Sequence, residues 1–207
     1  MTIEELRKEI VRYGRLLYER DLTAGLAGNL SARVDDDRIL ITPSGRCKGF
    51  LKEKEILVVK IRSGKVSGKG KPSIETPMHA AIYKKRKDVG AVIHAHPPYS
   101  TVLAVAGVPL KTALTPEGAL VLGEVPLVPF RVPGTHDLGE SVATAIEKNN
   151  ACLLEKHGAL SVGSDLEEAF LRLETLEFLA KVQVHLKHFG EVEELSEEAL
   201  RGINTKR

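Results

Sequence analysis

The sequence predicts a single α/β domain organised around a mixed sheet. Three observations predict it. The 207 residues are one domain's worth of chain, enough to bury a substantial core without disulfides. Strand-like and helix-like runs alternate through most of the length, the pattern of a sheet covered by helices. No internal repeat and no linker rich in Pro, Gly or Ser divides the chain, so residues 1–190 read as one domain followed by a charged tail, 191–207.

Thr2 and Glu5 stand at capping-box spacing, and Ile3, Leu6, Ile10, Gly14 and Leu17 share one face of the helix that follows. Gly25 and Gly28 interrupt it. Residues 29–34 and 38–42 read as strands joined by the Asp35-Asp36-Asp37 turn, a hairpin. Residues 43–50 form a loop, the β-branched run 56–61 a strand, and 67–73, with Gly68 and Gly70, a mobile stretch. Thr76-Pro77 opens a helix, with Thr76 as its cap. The rest alternates: strand 89–96, helix 99–106, strand 125–130, helix 138–148, strands 151–156 and 160–162. A last helix starts at Ser164, with Glu167 completing a capping box, and runs to about residue 189; the tail beyond is expected to fray.

Composition removes several function classes. Thirty basic residues stand against 28 acidic ones, no dense Lys/Arg block occurs, and four tyrosines and five phenylalanines are the whole aromatic complement. Nucleic-acid binding has no footing in that pattern. No apolar run reaches the roughly 20 residues needed to span a bilayer, and the charged amphipathic start is not a signal peptide. Cys47 and Cys152 have no CxxC partner and read as small apolar residues of a reducing, cytoplasmic protein.

Chemistry gathers around histidine. His94 and His96 lie two apart at the end of a strand, so period-2 geometry turns both imidazoles to one face. His157, followed by Gly158, ends another strand. An HxH pair alone is an ordinary way to finish a strand; a third histidine in an equivalent place makes a metal site the better reading. Three imidazoles with an open position suit a catalytic zinc, whereas structural sites are closed by four ligands. Glu75, just before a helix start, is a further metal ligand in the empty site or a proton carrier when substrate is bound. His79, one helical turn on, reads as a buried structural donor.

Three short loops, Ala27-Gly28-Asn29, Thr42-Pro43-Ser44-Gly45 and Pro72-Ser73, carry the backbone N–H groups and hydroxyls that suit a phosphate. Each by itself is only a turn.

Taken in this order, GNLSAR from Gly28, ITPSG from Ile41, KPSIE from Lys71, HAHPP from His94 and EKHG from Glu155 resemble the class II aldolase/adducin family over nearly the whole chain. That resemblance implies an α/β/α sandwich with a central mixed, largely antiparallel sheet, assembled as a homotetramer with active sites at subunit interfaces. It implies His94, His96 and His157 as ligands to one zinc per subunit, Glu75 as the catalytic glutamate, and Gly28, Asn29, Ser44, Gly45 and Ser73 as contacts to a substrate phosphate. The implied reaction is reversible cleavage of a small ketose 1-phosphate, such as fuculose 1-phosphate, to dihydroxyacetone phosphate and an aldehyde such as lactaldehyde. Dehydratases acting on methylthioribulose 1-phosphate, pentulose-phosphate epimerases and the non-catalytic adducin branch are the alternatives; the three histidines and Glu75 argue against the last.

Two departures bear on the reaction. Ile74 stands where the family's aldolases usually carry a second serine. No tyrosine occurs near Ala113 or Leu114, where the family's fuculose-phosphate enzymes carry a proton donor. Glu117, in the polar turn Thr115-Pro116-Glu117-Gly118 and close to a glutamate of the related dehydratases, is the replacement candidate. Tyr13, Tyr18 and Tyr83 read as packing residues; Tyr99, just after His96-Pro97-Pro98, is the tyrosine nearest the site, with packing the preferred reading there too.

Overall fold

The structure is a computed structural model and describes residues 1–204. Helix α1 (Ile3–Glu19) starts at the expected capping box, with Thr2 and Glu5 each accepting the other's backbone N–H. Its Leu6, Ile10, Tyr13 and Leu17 are buried, and each contributes on the order of 1.5–3 kcal/mol from apolar surface removed from water. The hairpin follows as β1 (Asn29–Arg33) and β2 (Arg38–Ile41), then β3 (Leu57–Lys60). Val66–Ser67 forms a short edge strand, β4, beside β3, and Pro72 bridges to Pro43, so part of the stretch expected to be mobile is paired to the sheet.

Helix α2 (Thr76–Lys85) leads into β5 (Ala91–Ala95), α3 (Pro98–Ala106) and α4 (Pro116–Leu122). β6 (Leu127–Val128), α5 (His136–Ala145), β7 (Ala151–Leu154) and β8 (Gly158–Gly163) come next, then α6 (Leu166–Leu186) and α7 (Glu197–Asn204). The described strands form one sheet in the order β4-β3-β2-β1-β5-β8-β7-β6, antiparallel throughout except for β6 against β7.

Period-2 alternation sorts the strands between two cores. Leu30, Leu40, Ile93 and Leu153 face α1, α3, α4 and α6. Ile39, Ile41, Val92, Cys152 and Leu160 face α2 and α5. The result is the expected three-layer α/β/α sandwich with a mixed, largely antiparallel sheet.

Local expectations are corrected at several element ends. The cap of α2 is Glu75, not Thr76: Ser73 accepts the Thr76 N–H and hydroxyl through its carbonyl, and Glu75's carboxylate makes no cap hydrogen bond. Helix α6 is capped one residue later than expected, by Asp165 accepting the Glu168 N–H, while Glu168 reaches back to the N–H of Ser164. Thr115–Gly118 is the first turn of α4, with Thr115 capping Gly118 and Pro116 at the first helical position. That helix has seven residues, too few for a periodic signal. The tail carries α7 against α4 and pairs the Leu195 N–H with the Ala113 carbonyl, so its described part is not frayed; residues 205–207 lie outside the described residues.

Candidate metal and substrate site

β1 and β5 are antiparallel neighbours, and their register sets Asn29 directly across from His94. His94 is fully buried on the α2 side of the sheet. His96 lies just past the end of β5, and His157 lies in the turn between β7 and β8, so neither is a strand residue as the sequence suggested. The antiparallel β5–β8 pair nevertheless carries both to the same sheet end. Gly158 makes this possible: a Cβ there would meet the Ala95 carbonyl at 2.6 Å and the His96 ring at 2.8 Å. Gly28 does the same on the other side, with φ +77 and only 2.8 Å between its notional Cβ and the His94 carbonyl.

The three imidazoles form a triangle with centroids 4.7–5.0 Å apart. One ring nitrogen of each lies within 4.8 Å of the other two. Glu75 completes the cluster, with Oε2 3.2 Å from His94 Nε2 and Oε1 3.5 Å from His157 Nε2. His94 Nδ1 lies 2.9 Å from the Ala159 carbonyl. It must donate to that oxygen, which fixes the tautomer and leaves the Nε2 lone pair pointing at Glu75 and at His96 Nε2, 3.1 Å away.

Burial holds all three imidazoles below their ordinary pKa, His94 down to about 4, so they are neutral donors of lone pairs. Burial pushes the Glu75 carboxyl up, but the adjacent His94 ring and the Asn29 amide, with His157 behind them, outweigh it and hold the carboxyl down. Lone pairs of three neutral rings and a buried carboxylate thus converge on one point. Glu75 Oε1 and His157 Nδ1 have no hydrogen-bond partner among the described residues. Such a donor set fits a divalent cation.

Behind Glu75 runs a fully determined hydrogen-bond chain. Asn29 Nδ2 donates to Glu75 Oε2 at 2.7 Å, which turns Asn29 Oδ1 to His79 Nε2 at 2.5 Å. His79 must therefore carry its proton on Nε2, and its Nδ1 accepts from the Ser31 hydroxyl at 2.6 Å. The Ser31 oxygen in turn accepts from Tyr83, at 2.9 Å. His79 is the buried structural donor the sequence suggested, held neutral by burial down to about 3.

In front lies a cleft of about 350 Å³. Gly28, Asn29, Ser44, Gly45 and Ser73 line it together with Glu75, His96 and His157, so the three glycine and hydroxyl loops do converge beside the histidines. The Asn29 side chain, however, is spent on Glu75 and His79, and the Ser73 hydroxyl accepts the Glu75 N–H at 3.2 Å. Ile74 lines the mouth, 65% exposed. Lys48 also lines the cleft and escaped the sequence reading, because a lysine in a loop carries no periodic mark of burial.

Residues 8–184 match the Class II Aldolase and Adducin N-terminal domain family. The chain belongs to the class II aldolase and adducin family. It is 39% identical over 175 residues to the L-fuculose phosphate aldolase of Methanococcus vannielii, covering 84% of this chain and 93% of that one. It is 37% identical over 190 residues to the 3-oxo-tetronate 4-phosphate decarboxylase of Cupriavidus necator, covering 90% and 87%. A solved L-fuculose 1-phosphate aldolase superposes with a TM-score of 0.90 at 37% identity, over 98% of this chain and 95% of the other. Membership, together with relatives that are lyases, supports an enzyme of the aldolase or lyase type, and the three histidines form a site that could hold a metal ion.

Two candidates for the missing acid do not join the site within one chain. Glu117 is exposed on α4 and is not among the residues lining the cleft. Tyr99 packs its ring on His185 at 5.6 Å and under the Lys181 ammonium, and it too is absent from the cleft lining.

Proposed function

We propose that this class II aldolase binds one zinc ion through His94, His96 and His157 and reversibly cleaves a small ketose 1-phosphate to dihydroxyacetone phosphate and an aldehyde. One observation carries the reading: Glu75 lies within 3.5 Å of two of three neutral, converging imidazoles, at the floor of a cleft that the phosphate-type loops also line. When bound, the ion supplies Lewis-acid polarisation of a carbonyl and its neighbouring hydroxyl. The residues do the rest. The loops at Gly28, Ser44, Gly45 and Ser73 anchor the phosphate, so that the carbon to be protonated sits beside the Glu75 carboxylate. Glu75 then delivers a proton to, or removes it from, that carbon. The Asn29–His79–Ser31–Tyr83 chain keeps the carboxylate aimed while it does so.

The exposed apolar residues at the cleft mouth, Leu26 and Ile74, fit cover by a neighbouring copy, and we infer a homotetramer with the clefts at its interfaces. Glu117 would then act at the aldehyde end of a neighbour's cleft.

A second reading is favoured by one observation: among the described residues, no carboxyl besides Glu75 and no tyrosine lines the cleft. Aldol cleavage needs a group to take the hydroxyl proton of the departing aldehyde, whereas a β-keto acid loses carbon dioxide with no such proton. A 3-oxo-tetronate 4-phosphate, on losing carbon dioxide, leaves the same enediolate of dihydroxyacetone phosphate. Glu75, the loops and the metal ligands would serve both reactions unchanged. The test is to give the zinc-loaded enzyme fuculose 1-phosphate, ribulose 1-phosphate, methylthioribulose 1-phosphate and a 3-oxo-tetronate 4-phosphate, and to assay free aldehyde, carbon dioxide and diketone. Aldehyde supports the first reading and carbon dioxide the second; a dehydrated diketone, or no product from any of them, overturns both.

A further inference from the structure

Lys48 is an ammonium in an unusual place. It sits in a short 3-10 turn, Lys48–Phe50, packed against α1, and its side chain is only 2% exposed. Its Nζ donates to the Leu26 carbonyl at 3.0 Å and to the Arg46 carbonyl at 2.5 Å. Leu26 belongs to the loop that ends in Gly28, and Arg46 follows Ser44-Gly45, so Lys48 ties together two of the three loops expected to hold phosphate. An ammonium has three donors; two are accounted for by these carbonyls.

Among the described residues, Lys48 and Glu75 are the only ones of formal charge, histidines aside, that line the cleft. Glu75 has its own partners in Asn29 and the imidazoles. Lys48 has no carboxylate at contact distance among the described residues; the acceptors of its two hydrogen bonds are both backbone carbonyls. Burial pushes its pKa down to about 8, against the opposing pull of Cys47 and Glu75. The Ile74 side chain, at the mouth of the same cleft, offers no hydrogen-bond donor to a ligand.

We infer that Lys48 is the charge partner of the substrate phosphate, its third N–H directed to a phosphate oxygen beside Ser44, Gly45 and Ser73. The inference rests on the proposed phosphate-bearing substrate. It makes Lys48 a specificity-determining residue: the buried cation favours a dianion over an uncharged hydroxyl at that end of the ligand. A bare loop staple, the competing role, would hold Leu26 and Arg46 together and be indifferent to ligand charge.

The test compares Lys48→Arg with Lys48→Gln in the zinc-loaded enzyme, since both keep donors for the two carbonyls and differ in charge. Calorimetry reads binding of inorganic phosphate, dihydroxyacetone phosphate and unphosphorylated dihydroxyacetone; zinc content and melting temperature establish that each variant is folded and loaded. The expected result is that Lys48→Gln weakens phosphate and dihydroxyacetone phosphate at least ~10-fold, the low end for a hydrogen bond to a charged group. Dihydroxyacetone should bind it as it binds the wild type, and Lys48→Arg should retain most of the phosphate affinity. Equal losses for dihydroxyacetone and its phosphate, or unchanged phosphate affinity in Lys48→Gln, overturn the assignment. Should the wild type itself bind neither phosphate nor dihydroxyacetone phosphate, the functional reading beneath it fails instead. If Lys48→Gln does not fold, Lys48→Met, which removes the charge and the donors together, is read by the same ratio of phosphate to dihydroxyacetone binding.

Discussion

Asn29 and Glu75 are 46 residues apart in sequence and 2.7 Å apart in space, joined by an amide-to-carboxylate hydrogen bond in a fully enclosed setting. That bond decides the orientation of everything behind it, from the Asn29 amide through the His79 tautomer to Ser31 and Tyr83.

Asn29→Leu should therefore do more than remove a contact. It leaves Glu75 Oε2 and the His79 N–H unpaired in the interior, at about 1–3 kcal/mol for each stranded group. Urea unfolding of the metal-free variant should show at least that loss, with the denaturant slope unchanged. A loss below ~0.5 kcal/mol, within the range of a surface substitution, would mean that the chain behind Glu75 is slack.

Acid should unfold the metal-free protein for a definite reason. His79 and His94 titrate near 3 and 4 when folded and near 6.5 when unfolded. Below pH 6.5 the unfolded chain takes up protons that the folded chain refuses, so stability falls as pH drops from about 6.5 toward 4. The slope is up to about 1.4 kcal/mol per pH unit for each imidazole. Urea curves across this window should be shallower in pH by about one proton in His79→Gln. An identical slope in that variant would show that His79 is protonated when folded.

Metal affinity should depend on a glycine. Wild-type protein should hold close to one zinc per chain and His96→Ala should lose most of it. Gly158→Ala inserts a methyl 2.6 Å from the Ala95 carbonyl and 2.8 Å from His96 Cδ2. It should weaken zinc roughly 10–100-fold, the range seen when groups orienting a ligand are disturbed. Competition with a chelator measures this; unchanged affinity would remove His96 from the ligand set.

Much of the site was legible in sequence because its parts sit at element ends with strong local signals. The β-branched run before His94, the Pro97 after His96 and the Gly158 after His157 each mark a strand boundary, and the antiparallel sheet brings those boundaries together. The hairpin 29–42 was legible for the same reason. Long-range contacts were not. Nothing local to Lys48 tells of a buried ammonium, and nothing local to Asn29 says that its side chain serves Glu75 and not the phosphate. Helix α4 was missed because seven residues beginning with Pro116-Glu117-Gly118 resemble a turn until the Thr115 cap and the packing on α6 are known.

Glu117→Gln separates the two leaving groups. If a neighbour's Glu117 handles the aldehyde proton, turnover should fall by roughly 10²–10⁴-fold, the usual worth of a positioned acid, with zinc content intact. If the leaving group is carbon dioxide, the variant should turn over like the wild type. Size measurement by light scattering accompanies this test, since the cross-subunit role requires more than one chain per particle.

The central claim is that Glu75, beside a metal held by His94, His96 and His157, moves a proton at the carbon next to the carbonyl of dihydroxyacetone phosphate. Both leaving-group readings share that half-reaction, so it can be measured without knowing the full substrate. Zinc-loaded enzyme is incubated with dihydroxyacetone phosphate in deuterated water, and exchange of the carbon-bound protons is followed by proton NMR. Wild type should exchange a single proton of the hydroxymethyl group, and Glu75→Gln should do so at least ~100-fold more slowly while still binding the ligand. Absence of exchange in zinc-loaded wild type, or exchange at the wild-type rate in Glu75→Gln, would contradict it.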